Sequence, residues 1–143
     1  MENSAFSPVR PLRILVVDDE PSVREVLQLF FFDDGHEVGL AVDGIDGCNV
    51  FDSGEWDVVF TDRMMPRMNG DEFAAAIRER DPDMPIILVT GYADLMAAQG
   101  TGNPLFDMII RKPFTRETLR AALAHVEQRS LNACCRACEA AAA

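Results

Sequence analysis

Val58-Val59-Phe60-Thr61-Asp62-Arg63-Met64-Met65-Pro66-Arg67-Met68-Asn69-Gly70 sets a short apolar run against a lone carboxylate and then a Met-Pro loop. An apolar run of strand length that does not alternate with polar residues marks a strand buried on both faces. Asp62 closes that strand, which is how an acceptor carboxylate is presented to a ligand. Asn69-Gly70 turns the chain into a helix over Asp71 to Arg80, acidic at its start and basic at its end, matching the helix macrodipole.

The same grammar repeats on either side. Arg13 to Val17 is an apolar strand ending in Asp18-Asp19-Glu20, and Pro21 opens a helix at a first-turn position. Val23, Val26, Leu27, Phe30 and Phe31 lie on or near one face of that helix, and Asp33-Asp34-Gly35 stops it. Glu37 to Val42 is an outer strand of mixed character. Asp43-Gly44 leads into a helical stretch ending near Ser53-Gly54, weakened by Gly47 and Asn49. Asp81-Pro82 and Met84-Pro85 bracket a turn before a fourth strand, Ile86 to Val89, with Thr90 at its end. Tyr92 to Gln99 reads as a short helix, Gly100 to Pro104 as loop, and Phe106 to Ile110 as a fifth strand running into Lys112-Pro113. Thr115 caps a final helix in which Leu119, Ala122, Leu123 and Val126 recur at helical spacing.

Five apolar strands alternating with helices predict an α/β architecture with a parallel sheet, each helix serving as a crossover. In such open sheets the ligand site lies beyond the carboxyl ends of the strands. Asp18, Asp19, Asp62, Thr90 and Lys112 all fall there. At 143 residues the chain has the size of one domain. We divide it into an extension over residues 1–11, a domain over 12–129 and a Cys/Ala-rich, flexible tail over 130–143.

A composition 48% hydrophobic and 26% charged fits a packed globular domain. No run reaches membrane-span length and the first residues lack a signal-peptide core, so the expected compartment is cytoplasmic. The net charge of −11 argues against nucleic acid, whose phosphates are met by clustered Lys and Arg, and favours cations. Of four cysteines, Cys48 stands apart while Cys134, Cys135 and Cys138 gather in the tail. Cys-x-x-Cys can bind zinc or do redox chemistry, but three thiols with only His125 nearby make a poor ligand set. A tail with adventitious thiols is the better reading.

Asp18, Asp19 and Asp62 together repel one another and need a cation or protons. Magnesium suits one or two carboxylates plus phosphate oxygens, where calcium would want more protein ligands. Such an ion could bridge Asp62 and an incoming phosphoryl group while an Asp62 oxygen attacks. Lys112 offers a compact positive charge to one phosphoryl oxygen and Thr90 a hydroxyl to another. Singly, Lys112 could be a mere ion pair and Thr90 a helix cap. Jointly, an acid pair, a lone acid, a hydroxyl and a lysine, each after its own apolar strand, are hard to assemble by chance.

The pattern Val16-Val17-Asp18-Asp19-Glu20, Asp62-x-x-Met65-Pro66-x-Met68-x-Gly70, Thr90-Gly91 and Lys112-Pro113-Phe114 resembles the response-regulator receiver domain of two-component signalling, over roughly Leu12 to Arg129. The resemblance implies a flavodoxin-like (βα)5 doubly wound sheet of order 2-1-3-4-5, an order that general fold knowledge illustrates with this very family. It implies that Asp62 accepts phosphate from a histidine kinase or histidine phosphotransfer protein, or slowly from a small phosphodonor. Asp18, Asp19, Asp62 and the backbone carbonyl of Met64 would hold Mg2+. Such a chain is a phosphoacceptor with Mg-assisted self-phosphorylation and autodephosphorylation, not an enzyme. Its output would be altered binding to a downstream protein target, as a monomer or a phosphorylation-dependent dimer.

Two features bear on that expectation. The family's switch draws the hydroxyl at the Thr90 position onto the phosphate and turns an aromatic of the fifth strand inward, but here that position is Ile109. A branched aliphatic cannot swing a ring, so a muted or rerouted switch through Thr90, Met108, Ile109 and the Tyr92 helix is expected. Lys112-Pro113 is often a cis bond in the family. Met64 and Tyr92 flank the phosphate by analogy and could screen water.

Phe30-Phe31-Phe32 cannot all face one core, because successive helical residues are about 100° apart. The outward ring either helps dock a kinase's phosphotransfer helix or is covered by neighbouring loops. The chain reads first as a stand-alone phosphoacceptor module, and alternatively as a receiver domain excised from a hybrid kinase or larger regulator. A magnesium-dependent phosphatase of the aspartyl-phosphate type is disfavoured, since it needs a second Asp where Met64 stands. A flavodoxin-like cofactor binder lacks a phosphate loop after the first strand.

Overall fold

The computed structural model describes residues 11–91 and 105–127. The Tyr92 helix, the loop to Pro104 and the Cys134, Cys135 and Cys138 tail lie outside those residues. The chain divides into two units, one spanning Arg10 to Phe114 and one whose described part begins at Thr115.

In the larger unit the strands are β1 (Arg13–Val17), β2 (Glu37–Ala41), β3 (Val58–Thr61), β4 (Ile86–Thr90) and β5 (Met108–Arg111). They form one parallel sheet of order β2-β1-β3-β4-β5. Helices α1 (Pro21–Asp33), α2 (Gly44–Asp52) and α3 (Gly70–Arg80) connect them. The non-alternating apolar runs have the meaning expected of them: Ile14 to Val17, Val58 to Phe60 and Ile86 to Val89 are all buried. Leu15, Val17, Val59, Ile86 and Leu88 form a core with Phe73, Ala74 and Ile77 of α3. Phe31 of α1 packs on Phe60 with ring centroids 4.9 Å apart.

Element ends follow local hydrogen bonding. Pro21 sits in the first turn of α1, where its missing N–H costs nothing. Asn69 and Glu72 make a reciprocal capping box, so α3 begins at Gly70 rather than Asp71. β2 stops at Ala41, one residue before the expected Val42, whose N–H bonds to Asp46 Oδ2 at 3.0 Å.

β5 is the larger correction, running Met108–Arg111 instead of Phe106 to Ile110. Asp107 Oδ2 takes the N–H of Ile86 and the Arg78 guanidinium, each at 2.8 Å, and its own N–H donates to Ile86 O at 2.8 Å, so Asp107 anchors the strand and the paired residues begin at Met108. At the other end Arg111 pairs with Thr90, which belongs to β4.

The second unit contributes helix α4 over residues 116–127. Thr115 Oγ1 accepts the N–H of Thr118 at 3.1 Å, the expected cap. Leu119, Ala122, Leu123 and Val126 are its buried apolar positions, and Glu127 at its described end is buried as well. Among the described residues no helix is long and apolar enough to cross a membrane.

Candidate functional site

Register assembles the site. Val17 stands opposite Thr61, so the next residues on β1 and β3, Asp18 and Asp62, emerge side by side. Asp62 donates its N–H to Val17 O at 3.0 Å, extending the ladder one step. Thr90 pairs with Arg111, and Lys112 donates its backbone N–H to Thr90 O at 2.8 Å. Four strand ends thus deliver two acids, a hydroxyl and a lysine to one edge of the sheet.

Carboxylate oxygens of Asp18, Asp19 and Asp62 lie within 4.8 Å of one another, a group that could hold a metal ion. Asp18 and Asp62 are buried while Asp19 is exposed. Lys112 Nζ stands 3.4 Å from Asp18 Oδ2, 3.6 Å from Asp62 Oδ2 and 3.6 Å from Glu20 Oε1. Thr90 Oγ1 is fully buried and meets no hydrogen-bond partner among the described residues. An orphaned buried hydroxyl is costly and asks for a ligand oxygen. Hard oxygen donors around an unmet hydroxyl fit magnesium and a phosphoryl group better than a softer metal.

The loop after β3 is held close to the sheet. A Cβ on Gly70 would stand 2.3 Å from the carbonyl oxygen of Asp62, so only glycine allows the loop to fold back here. Gly70 N–H bonds to Arg63 O at 2.8 Å, and Asp62 Oδ1 accepts the N–H of Arg63 at 2.8 Å. Met64 projects outward, 62% exposed. Ile109 on β5 is partly buried against the core beside Leu88. The Lys112-Pro113 bond is cis.

Two participants were not singled out in the sequence. Glu20 joins the Lys112 cluster. Arg24, one turn into α1, donates from Nη1 to Asp18 O at 2.6 Å and fixes the backbone of the acid pair. The Asp-Asp-Glu run hinted at Glu20, but nothing local signals Arg24, whose bond depends on how α1 crosses back over the β1 end.

Electrostatically the site is short of positive charge. Burial, then repulsion from Asp18, pushes Asp62 up to about 6, although Lys112 opposes the shift. Burial likewise raises Asp18, despite its hydrogen bond from Glu20 N–H and the nearby Lys112. Burial works against the Lys112 ammonium, but Asp18 and Asp62 outweigh it and hold the lysine above its ordinary value. The lysine therefore stays charged yet fails to neutralise both acids.

A folded Asp62 at about 6, against an ordinary 3.8, binds its proton before the unfolded chain does. Stability from this group is then greatest below pH 4, falls as pH rises to about 6, and its deficit is complete above that. In metal-free solution the Asp62→Asn protein should be more stable than wild type at pH 7.5 by roughly 2–3 kcal/mol, with the gap closing near pH 4. Urea melts at the two pH values read this, and equal stabilities at pH 7.5 would refute it.

Residues 14–124 match the response regulator receiver domain family. Response regulator MprA of Mycobacterium sp. (strain KMS) is 34% identical over 113 residues, which is 79% of this chain and 49% of the relative. The probable transcriptional regulator ycf27 of Guillardia theta is 37% identical over 119 residues, 82% of this chain and 46% of the relative. The chain thus spans about half the length of the curated relatives it matches. Among solved structures, a response regulator receiver domain protein of Clostridium thermocellum superposes with a TM-score of 0.77 at 30% identity, covering 83% of this chain and 96% of that one. The response regulator TrrA of Thermotoga maritima, solved with Mg2+-BeF, gives a TM-score of 0.72 at 34% identity over 80% of this chain and 98% of its own. Sheet order, site geometry and these likenesses agree, and the chain belongs to the response regulator receiver domain family of two-component signalling.

Proposed function

We propose that Asp62 is the phosphoryl acceptor of this receiver domain and takes its phosphate from a histidine kinase or histidine phosphotransfer protein. The observation that supports this best is the unmet Thr90 hydroxyl beside two buried acids and a single lysine. In the transfer, the bond from phosphorus to the donor imidazole nitrogen breaks while one forms to an Asp62 carboxylate oxygen. The leaving imidazole keeps the electron pair and takes up a proton. Lys112 Nζ pairs with one phosphoryl oxygen and the Thr90 hydroxyl donates to another. Asp18, Asp19, Asp62 and the Met64 carbonyl hold Mg2+, which supplies the charge neutralisation that Lys112 alone does not. The bound Mg2+-BeF of the Thermotoga relative supports that choice of ion.

Incubating the protein with acetyl phosphate and Mg2+ should give a stoichiometric, alkali-labile label that Asp62→Asn abolishes. Multiple-turnover hydrolysis of a phosphomonoester would instead favour the phosphatase reading.

The donor docks, in this reading, along α1. Ser22, Val23 and Val26 form a groove with Pro113 and Phe114 that begins at Lys112. A second depression further along α1 is lined by Glu25, Gln28, Leu29 and Phe32, of which Leu29 and Phe32 are 56% and 72% exposed. Of the three consecutive rings Phe31 is buried and Phe32 is the outward one. Continuity with the acceptor site favours a helical protein bearing the phosphohistidine over an unrelated partner. Phe32→Ser should slow transfer from a phosphotransfer protein about ten-fold or more, as expected of an aromatic anchor, and leave acetyl phosphate labelling intact. Equal slowing of both, or of neither, would contradict docking there.

The message leaves through Thr90 and β5 without an aromatic ring, because Ile109 stands in the ladder beside Leu88. Phosphorylation should move methyl resonances of Met108 and Ile109 modestly while the Ile109 rotamer persists. A large inward rotamer change at Ile109 would overturn this. The downstream target is a protein; the acidic chain is unsuited to nucleic acid, and any DNA contact of the kind a transcriptional regulator makes would belong to a separate domain. The site chemistry calls for a compartment shared with a kinase, which we take to be the cytoplasm.

A further inference from the structure

Arg67, in the loop between β3 and α3, has φ +67°, a left-handed conformation that non-glycine residues seldom adopt. Such a conformation persists only where its surroundings over-determine it. Here the determinant is a carboxylate from another loop. Arg67 Nε and Nη2 lie 2.8 and 2.7 Å from Asp43 Oδ2.

Asp43 is buried and is the N-cap of α2, its Oδ1 accepting the N–H of Asp46 at 2.9 Å. One oxygen thus serves the helix and the other serves the loop. The N–H groups of α2 and the Arg67 guanidinium together hold Asp43 below the usual carboxylate range, so it is charged at neutral pH. The backbones are equally close at this point. A Cβ on Gly44 would stand 2.6 Å from Met68 Cγ and 2.8 Å from Met68 O. Downstream of Met64 the loop is braced by Met68 N–H to Pro66 O at 2.7 Å and Gly70 N–H to Arg63 O at 2.8 Å.

We propose that the Asp43–Arg67 pair is a positioning latch that fixes the β3–α3 loop on the start of α2 and thereby places the Met64 carbonyl and Asp62 for metal and phosphate. This rests on the reading of Asp62 and Met64 given above. Neither Asp43 nor Arg67 touches the reacting atoms; they act through the loop. Removing either partner breaks the same contact, but the consequences for α2 differ usefully. Asn caps a helix as well as Asp does, so Asp43→Asn deletes the ion pair and keeps the cap. Arg67→Ala also leaves the cap in place.

The test is amide hydrogen exchange on the full metal-free chain, followed by Mg2+ titration calorimetry. In Arg67→Ala and Asp43→Asn the Met68 and Gly70 amides should exchange at least about ten-fold faster than in wild type, while the Asp46 amide changes by less than about two-fold. Mg2+ affinity should fall several-fold in both. The double variant should be no worse than either single one, since both delete one interaction, and Arg67→Lys should recover part of the loss. Unchanged exchange at Met68 and Gly70 overturns the latch. Faster exchange with Mg2+ affinity held within about two-fold overturns its role toward the site. Wild-type protein that binds no Mg2+ overturns the metal-site reading and the latch's purpose together, an outcome distinct from loss confined to the variants.

Discussion

Everything at the carboxyl edge of this sheet depends on an unequal balance of buried charge. Asp18 and Asp62 leave adjacent strands in register and cannot separate without breaking the β1–β3 ladder. One ammonium, Lys112, faces both at 3.4 and 3.6 Å. A buried acid pair with a single counter-charge is unfavourable by itself, which is why Asp62 keeps its proton up to a pH of about 6. The cost is built in by the fold and is relieved by a proton, by added positive charge or by converting one acid into something else. The proposed acceptor role of Asp62 would use the last two, with a divalent ion held by the acids and phosphate on Asp62.

The surroundings hold this unfavourable arrangement in place. On the β1 side Arg24 reaches back from α1 to the carbonyl of Asp18. On the β3 side the chain doubles back so tightly that Gly70 lies against the Asp62 carbonyl. The capping box at Asn69 and Glu72 then converts the turn directly into α3. A site of this kind must be rigid where acids converge, because any slack would let them drift apart and lose the tension that favours ion and phosphate.

Most of the sheet was legible in the sequence because strands covered on both faces have no reason to alternate, and Ile14 to Val17, Val58 to Phe60 and Ile86 to Val89 do not. The candidate site residues were legible for a related reason: a polar residue directly after an apolar run marks the carboxyl end of a strand, even where, as at Asp18, Asp62 and Thr90, it stays buried. What escaped the sequence were contacts set by side chains distant along the chain. Asp107 looked like part of β5, yet it serves as an anchor just before the paired residues, its carboxylate engaged by Arg78 and by the N–H of Ile86 and its own N–H bonded to Ile86 O. The Asp43–Arg67 pair carries no local signature, since it forms only once two crossover connections lie against one edge, and Arg24 reaches Asp18 O within one connection through a turn that the residue types alone do not mark.

Ile109 shows where the fold limits the signal. Its backbone is paired in register with Leu88, and its side chain is partly buried against the Leu88 side of the core. A ring at that position could exchange a buried site for an exposed one by rotating about two bonds, with little demand on its neighbours. A β-branched side chain is restricted at χ1 and has too little reach to fill a distant gap. Movement of the Thr90 hydroxyl toward a phosphate would therefore leave a space that β5 must close by shifting its backbone. Because Thr90 O also accepts the Lys112 N–H, that shift would be tied to the lysine that faces Asp18 and Asp62. On the proposed acceptor role of Asp62, the last strand itself, rather than a rotating ring, would be the element that converts its charge into a change of surface.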